Sequence, residues 1–98
     1  MAEFKQAVSF EWDEGNLLKN LLKHGVTHLE CEEVFGDPDK VVFGDLEHSK
    51  AEERFILLGK TAGGRILYVV FTVRNDRLRV ISARDLNQKE VFLYEKRA

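Results

Sequence analysis

The stretch that decides the fold is "RILYVVFTVRNDRLRVISAR", residues 65–84. Two runs rich in β-branched and aromatic residues flank the pair Asn75–Asp76, which is a composition typical of a two-residue hairpin turn. The first run, 65–74, is long and almost entirely apolar, so it is predicted to be a central strand. The second run, 77–84, is predicted to be its antiparallel neighbour.

The turn predicts the register of this hairpin. If Asn75–Asp76 is the whole turn, Arg74 lies opposite Arg77 and Arg84 lies opposite about Leu67. At about 3.3 Å per residue, Arg74 and Arg84 are then roughly 20 Å apart along the strands and cannot contact one phosphate. Strict alternation also predicts a row of side chains on one face of the second strand: Leu78, Val80, Ser82 and Arg84.

The flanking sequence predicts further strands. Residues 40–45 and 54–61 are short apolar runs, and "AGG" at 62–64 joins the second of them to the central strand. Apolar residues at even positions before Trp12 predict a half-buried strand at the N-terminus: Phe4, Val8, Phe10 and Trp12.

Three helices are predicted by capping signals and apolar spacing. Asp13 caps the first, whose apolar stripe is Leu17, Leu18, Leu21 and Leu22, and Gly25 ends it. Thr27 with Glu30, and Asn87 with Glu90, are capping boxes for the second and third. The order β-α-α-β-β-β-β-α predicts an α+β fold: an antiparallel sheet of about four strands with two N-terminal helices and one C-terminal helix.

Length and composition restrict the class of protein. Ninety-eight residues predict one domain spanning 1–98. No apolar run approaches the roughly 18 residues that cross a bilayer, and the charged N-terminus is unlike a signal peptide, so we expect a cytoplasmic protein. The single cysteine, Cys31, excludes an internal disulfide and a multi-thiolate metal site. We expect no metal and no cofactor.

Charge is unevenly distributed along the chain. Residues 1–64 carry seven Lys/Arg against thirteen Asp/Glu, a net of −6, whereas residues 65–98 carry eight against four, a net of +4. This asymmetry indicates that the C-terminal half faces an anion. Clustering of solvated charges is the alternative interpretation.

Five segments resemble, in order and spacing, the BrnT family of bacterial ribonuclease toxins. They are "FEWDEGNLLKNLLKHGVT", "GDPD", "HSKAEERFILLG", "VVFTVR" and "RVISARDLNQKEVFLYE". The resemblance covers the chain from Phe10 to Glu95. It implies a RelE-like fold, RNA cleavage without a metal, and growth inhibition through type II toxin–antitoxin biology.

The resemblance also implies partners. These are an RNA substrate and a cognate BrnA-like antitoxin, in a hetero-oligomer that contacts DNA only through the antitoxin. No membrane partner is expected. The net charge of −2, Asp85 in place of a second basic residue, and a final helix with few arginines favour an alternative: a catalytically weak interaction module that keeps the fold and binds the antitoxin.

Metal-free RNA cleavage sets the chemistry that the site must supply. The 2′-hydroxyl attacks its own phosphate, and the protein stabilises the phosphorane charge and assists proton transfer. Arginine suits the first task because its planar fork binds phosphate bidentately. The candidate catalytic residues are Arg84, Arg54, Arg74, His48 and Tyr94. The candidate RNA-binding residues are Lys19, Lys23, Arg77 and Arg79.

Each candidate also has a structural interpretation. Arg84 either contacts phosphate or anchors the corner through Asp85 or an acidic helix residue. Tyr94 follows Val91 on one helix stripe, which favours core packing. His48 lies in an acidic loop that would raise its pKa, although exposed loop histidines are common. Lys19 and Lys23 lie on one helix face, as solvated lysines usually do.

Overall fold

The computed structural model describes residues 9–45 and 52–97. The elements follow the predicted order. They are β1 (Ser9–Glu11), α1 (Glu14–His24), α2 (His28–Phe35), β2 (Val41–Gly44), β3 (Phe55–Lys60), β4 (Ile66–Arg74), β5 (Arg77–Asp85) and α3 (Gln88–Arg97). None of the helices within the described residues is long and apolar enough to cross a membrane.

The sheet is larger than predicted and is mixed. It has five strands in the order β1-β5-β4-β3-β2, where four antiparallel strands were expected. The extra strand, β1, runs parallel to β5, with Ser9 opposite Arg77 and Glu11 opposite Arg79. This pairing joins residues almost 70 positions apart, so local alternation, which predicted the strand, could not show its partner or direction.

The central hairpin has the predicted turn. Asn75 and Asp76 both have positive φ, 51° and 62°, as a tight turn between twisted strands requires. Arg74 therefore lies opposite Arg77, as predicted. Asn and Asp tolerate this left-handed conformation better than most residues.

A β-bulge in β5 changes the register beyond this point. Val70 lies opposite Ser82 while Phe71 lies opposite Val80, so Ile81 is an extra residue in β5. Arg84 consequently lies opposite Tyr68 rather than Leu67. The predicted row of Leu78, Val80, Ser82 and Arg84 on one face is wrong, because alternation restarts after the bulge. In its place, Ala83 joins Leu78 and Val80 in the core.

One face of the sheet packs against α2. Its buried residues are Val26, Cys31, Val34, Phe35, Phe55, Leu57, Leu67, Val69, Phe71, Leu78, Val80 and Ala83. The helix approaches β3 so closely that a Cβ at Gly59 would lie 2.8 Å from the carbonyl oxygen of Val34. A glycine is therefore needed where α2 crosses the sheet.

The other face of the sheet is only partly covered, by α3. A smaller cluster there contains Val41, Ile56, Leu58 and Tyr94, with Ile66, Tyr68, Val70 and Leu86 packed against it. We call this side the α3 face. Both predicted capping boxes are present: Thr27 with Glu30 begins α2, and Asn87 with Glu90 begins α3.

The apolar stripe predicted for α1 is not buried as a stripe. Leu21 and Leu22 are 47% and 80% exposed. Asn20 is one residue that ties α1 to the sheet: it is 2% exposed and accepts a hydrogen bond from the Ala83 amide at 3.2 Å. The helix thus satisfies a backbone group at the edge of β5 through a polar side chain.

Candidate functional site

The α3 face carries a cleft of about 470 Å³, within the range usual for ligand sites. It is lined by Asp45, Arg54, Ile56, Tyr68, Val70, Ile81 and Ser82. Ile56 and Val70 are neighbours on β3 and β4 and contribute apolar surface. Arg54, Asp45 and Ser82 contribute polar groups, so the cleft combines an apolar surface with a cation, a carboxylate and a hydroxyl.

Arginines lie toward both ends of the cleft. At one end is Arg54. It directly precedes Phe55, which pairs with Phe71 on β4, so in this antiparallel pair Arg54 lies beside Thr72. Arg79 lies opposite Thr72 on the other side of β4. Arg84 lies at the other end, opposite Tyr68. Four residues of β4 separate these two levels, or roughly 13 Å along the sheet.

At the first of these ends, three arginines act on one carboxylate, that of Glu52. Arg74 donates two hydrogen bonds to Glu52, at 2.8 and 2.9 Å. These bonds, together with the charges of Arg74, Arg54 and Arg79, hold the pKa of Glu52 below its usual value. Three candidate arginines therefore act on one acidic side chain at this end of the cleft.

Arg84 is held by three groups at the opposite end. Its guanidinium lies 4.0 Å from the centroid of the Tyr68 ring, as in a cation–π pair. It donates to both carboxylate oxygens of Glu90, at 2.7 and 2.8 Å, and to the carbonyl of Asp85 at 3.1 Å. The hydrogen bonds to Glu90 raise the pKa of Arg84 above its usual value. The ion pair with an acidic helix residue, one of the two expectations for Arg84, is thus present.

The carboxylate of Asp85 pairs with Arg65 instead. Arg65 also donates to Glu30 and to the carbonyls of His24 and Gly25, at 2.8 to 3.2 Å. It therefore satisfies carbonyls at the end of α1 and joins α1, α2 and β5. Sequence reasoning did not assign Arg65 a role, and its network indicates a structural one.

The hairpin end of β4 and β5 carries three further arginines, Arg74, Arg77 and Arg79. Arg79 donates to Asp13 at 2.6 Å, with 27% of its side chain exposed. Arg77 is exposed at the start of β5, beside the turn. Arg74 and Arg84 lie six β4 residues apart, which agrees with the predicted separation of roughly 20 Å. They do not form one site with each other.

Four candidates lie away from the cleft or outside the described residues. Tyr94 is 4% exposed, and its hydroxyl donates to Asp37 at 2.6 Å. Burial, and then the Asp37 carboxylate, raises the pKa of Tyr94, which opposes its use as a base near neutral pH. Lys19 and Lys23 are exposed on α1. His48 lies outside the described residues.

Sequence reasoning missed three residues that line the cleft: Asp45, Tyr68 and Ser82. Tyr68 was read only as part of an apolar strand. Its hydroxyl group could have indicated that one face of this strand is exposed to solvent. Within residues 9–45 and 52–97, no group of three or more His, Cys, Asp or Glu side chains is arranged to hold a metal ion.

Comparisons with known proteins give a consistent result. Residues 12–90 match the family model described as ribonuclease toxin, BrnT, of type II toxin–antitoxin system. The crystal structure of the Brucella abortus ribonuclease toxin BrnT, solved at 1.1 Å, is similar with a TM-score of 0.63 and 29% sequence identity. The match covers 82% of this chain and 97% of the Brucella chain. A search of curated protein sequences finds no match.

Proposed function

The chain belongs to the BrnT family of ribonuclease toxins of type II toxin–antitoxin systems, and on that premise we propose that it cleaves RNA in the cleft on its α3 face. In the proposed reaction the 2′-oxygen attacks the adjacent phosphorus and the bond from phosphorus to the 5′-oxygen breaks. One proton passes from the 2′-hydroxyl to a carboxylate of the protein, and one passes from solvent water to the departing 5′-oxygen. The products are a 2′,3′-cyclic phosphate and a 5′-hydroxyl, and no metal ion takes part.

The observation that carries this proposal is the position of Arg54 in the cleft. Its guanidinium would bind the scissile phosphate and stabilise the charge of the phosphorane. Asp45 would accept the proton of the 2′-hydroxyl, because it places a carboxylate in the same cleft. Arg79 and Arg84 would hold flanking phosphates at the two ends. Arg77, Lys19 and Lys23 remain predicted RNA contacts, and Arg74, His48 and Tyr94 remain predicted catalytic candidates.

Induction of this chain alone in bacteria tests the proposal, with growth and RNA integrity followed over time. Cleavage should persist in EDTA and yield fragments that polynucleotide kinase labels without prior dephosphorylation. Arg54→Ala should reduce cleavage several hundredfold, because one charge-stabilising donor contributes roughly 3–4 kcal/mol. Arg74→Ala is the comparison variant: Arg74 does not line the cleft and pairs with Glu52, so its loss should reduce cleavage much less than the loss of Arg54. Equal losses in both variants would contradict the assignment of the cleft.

A second function is supported by the ion pairs of the site. Arg74, Arg79 and Arg84 each pair with a carboxylate, so phosphate must compete with Glu52, Asp13 and Glu90. This arrangement favours a catalytically weak module that binds an antitoxin without cleaving RNA. Normal growth and intact RNA after induction, together with a stable antitoxin complex, would favour this module over the toxin.

We propose a BrnA-like antitoxin as the partner, with DNA contacted only through it, and the bacterial cytoplasm as the place of action. The antitoxin would neutralise the toxin by covering the cleft. Phe92 and Leu93 on α3 are 63% and 49% exposed and offer apolar surface on that side of the sheet. Pre-incubation with the antitoxin should abolish RNA binding. The RelE-like fold that the family resemblance implies stays a prediction.

A further inference from the structure

Glu90 has two roles at the start of α3. As the third helical residue it accepts a hydrogen bond from the Asn87 amide at 3.0 Å, while its own amide donates to the Asn87 side chain at 2.9 Å. The same carboxylate receives both ends of the Arg84 guanidinium. One side chain therefore caps the helix and binds an arginine at the rim of the cleft, with only 19% of its surface exposed.

The helix that carries Glu90 is attached to the sheet by few groups. Tyr94 is the buried residue among the described side chains of α3, whereas Phe92 and Leu93 are largely exposed. Two residues, Leu86 and Asn87, connect α3 to β5. Because α3 buries so little apolar surface, its first turn is expected to open at a lower free energy than the sheet, while Tyr94 farther along the helix keeps its hydrogen bond to Asp37.

Glu90 presents to Arg84 the same bidentate oxygen geometry that a phosphate would present. Carboxylate and phosphate both bind the guanidinium fork through two parallel hydrogen bonds. The Tyr68 ring contacts the guanidinium through its face, so this contact does not use the hydrogen-bonding edge that Glu90 occupies. If Glu90 departs, Tyr68 still holds Arg84 at the rim of the cleft.

We infer that Glu90 is an internal competitor that occupies the phosphate-binding edge of Arg84 until RNA displaces it. This inference rests on the proposed RNA site. In the resting state the Glu90 carboxylate neutralises Arg84. Only molecules in which Arg84 is not paired with Glu90 can bind RNA there, so the apparent affinity for RNA is lowered in proportion to the paired fraction. When an RNA phosphate replaces the carboxylate, the start of α3 moves away from β5. The helix thereby links RNA binding to the surface that Phe92 and Leu93 expose.

The discriminating variant is Glu90→Gln. Glutamine also serves at the third position of a capping box, so the helix start is retained while the negative charge is removed. Glu30→Gln is the matched control, since Glu30 holds the same position in α2, after Thr27, and pairs with Arg65. Both variants gain one unit of net charge. Circular dichroism checks that each is folded.

Binding is measured with a single-stranded 2′-O-methyl oligonucleotide, which lacks the attacking hydroxyl, and cleavage with the unmodified RNA. Glu90→Gln should bind about twofold to fivefold more tightly than the unsubstituted chain, because a partly exposed ion pair is typically worth up to about 1 kcal/mol. Glu30→Gln should bind less than twofold more tightly. In the Arg84→Ala background, Glu90→Gln should give no gain.

Several outcomes would overturn the inference. Unchanged or weaker binding by Glu90→Gln would mean that Glu90 does not compete or that it orients Arg84. An equal gain in RNA affinity in Glu30→Gln, or in the Arg84→Ala background, would mean that the gain comes from net charge rather than from freeing Arg84. Failure of the proposed function would give a different result: the unsubstituted chain would neither bind nor cleave RNA. The inference would then fail as well, because it rests on that function. Cleavage that depends on Arg54 but not on Glu90 would overturn the inference alone.

Discussion

The hydroxyl of Tyr94 donates a hydrogen bond of 2.6 Å to the Asp37 carboxylate, which joins α3 to the turn between α2 and β2. Asp37 also accepts from the amides of Asp39 and Lys60, at 2.9 and 2.8 Å. Burial works to raise the pKa of Asp37, but the hydrogen bonds from Tyr94 and the two amides outweigh it and hold the pKa below its usual value. The Asp37 carboxylate therefore connects α3, the turn before β2 and the end of β3.

Tyr94→Phe should destabilise the protein without removing the chemistry of the cleft. A hydrogen bond to a charged group contributes about 1.5–3 kcal/mol, so the melting temperature should fall by several degrees, as expected for a domain of roughly this size. Calorimetry and RNA cleavage at 25 °C measure the two effects. In an Asp37→Asn background the same substitution should cost less. Loss of cleavage in a protein that remains folded would instead support a catalytic Tyr94.

Stability should fall in acid. Hydrogen bonds from Arg84 hold the pKa of Glu90 below its usual 4.5, and those from Arg65 hold the pKa of Asp85 below 3.8. The unfolded chain therefore binds protons at a higher pH than the folded chain. The stabilisation is present above the unfolded pKa values and is lost as pH falls through the lower folded values. Urea unfolding between about pH 6 and pH 3 measures this loss.

Asp85→Asn provides the check on this assignment. The variant should be less stable at neutral pH and should lose less stability between neutral pH and acid, because one proton-linked group is gone. Unfolding curves that shift in parallel for the two proteins at every pH would contradict the role of the Arg65–Asp85 pair.

Cys31 should be unreactive in the folded protein. It is 1% exposed, and burial, followed by the charges of Glu30 and Glu32, raises the pKa of its thiol to about 12. Because the thiolate is the reactive form, a disulfide reagent at pH 8 should label it only after denaturation. Rapid labelling of the native protein would show that α2 separates from the sheet in solution.

The exposed residues of α3 should contribute to the antitoxin complex. Phe92→Ser should weaken co-purification with the antitoxin at least tenfold, the effect expected when an aromatic anchor is removed from an interface. Leu22→Ser on α1 is the matched variant, because Leu22 is 80% exposed and neither change should lower stability. A complex that Leu22→Ser disrupts and Phe92→Ser leaves intact would place the antitoxin on α1.

Residue type alone anticipated one of the residues that line the cleft, Arg54. Arg54 and Arg84 were both candidates because arginine suits phosphate; Arg54 lines the cleft, and Arg84 lies over Tyr68, which lines it. Tyr68, Ser82 and Asp45 could not be found, because each belongs to a segment whose local pattern indicates only a strand or a turn. Their convergence depends on the pairing of β3, β4 and β5 and on how little of the sheet α3 covers.

The sequence by itself determined the local structure. The left-handed turn at Asn75–Asp76, the two capping boxes and the order of the elements each depend on residues within a few positions of one another. Local chemistry is enough to specify such features, which is why the prediction for Arg74 opposite Arg77 was correct.

Only the tertiary structure decided which way Arg84 points. The extra residue Ile81 shifts the alternation of β5, so Arg84 lies over Tyr68 on the α3 face rather than in line with Leu78 and Val80. A bulge depends on how two strands twist and pack against each other, and a count of alternating residues in one strand cannot reveal it. The parallel pairing of β1 and the choice of Glu90 as partner of Arg84 were decided in the same way, by contacts that exist only after the chain has folded.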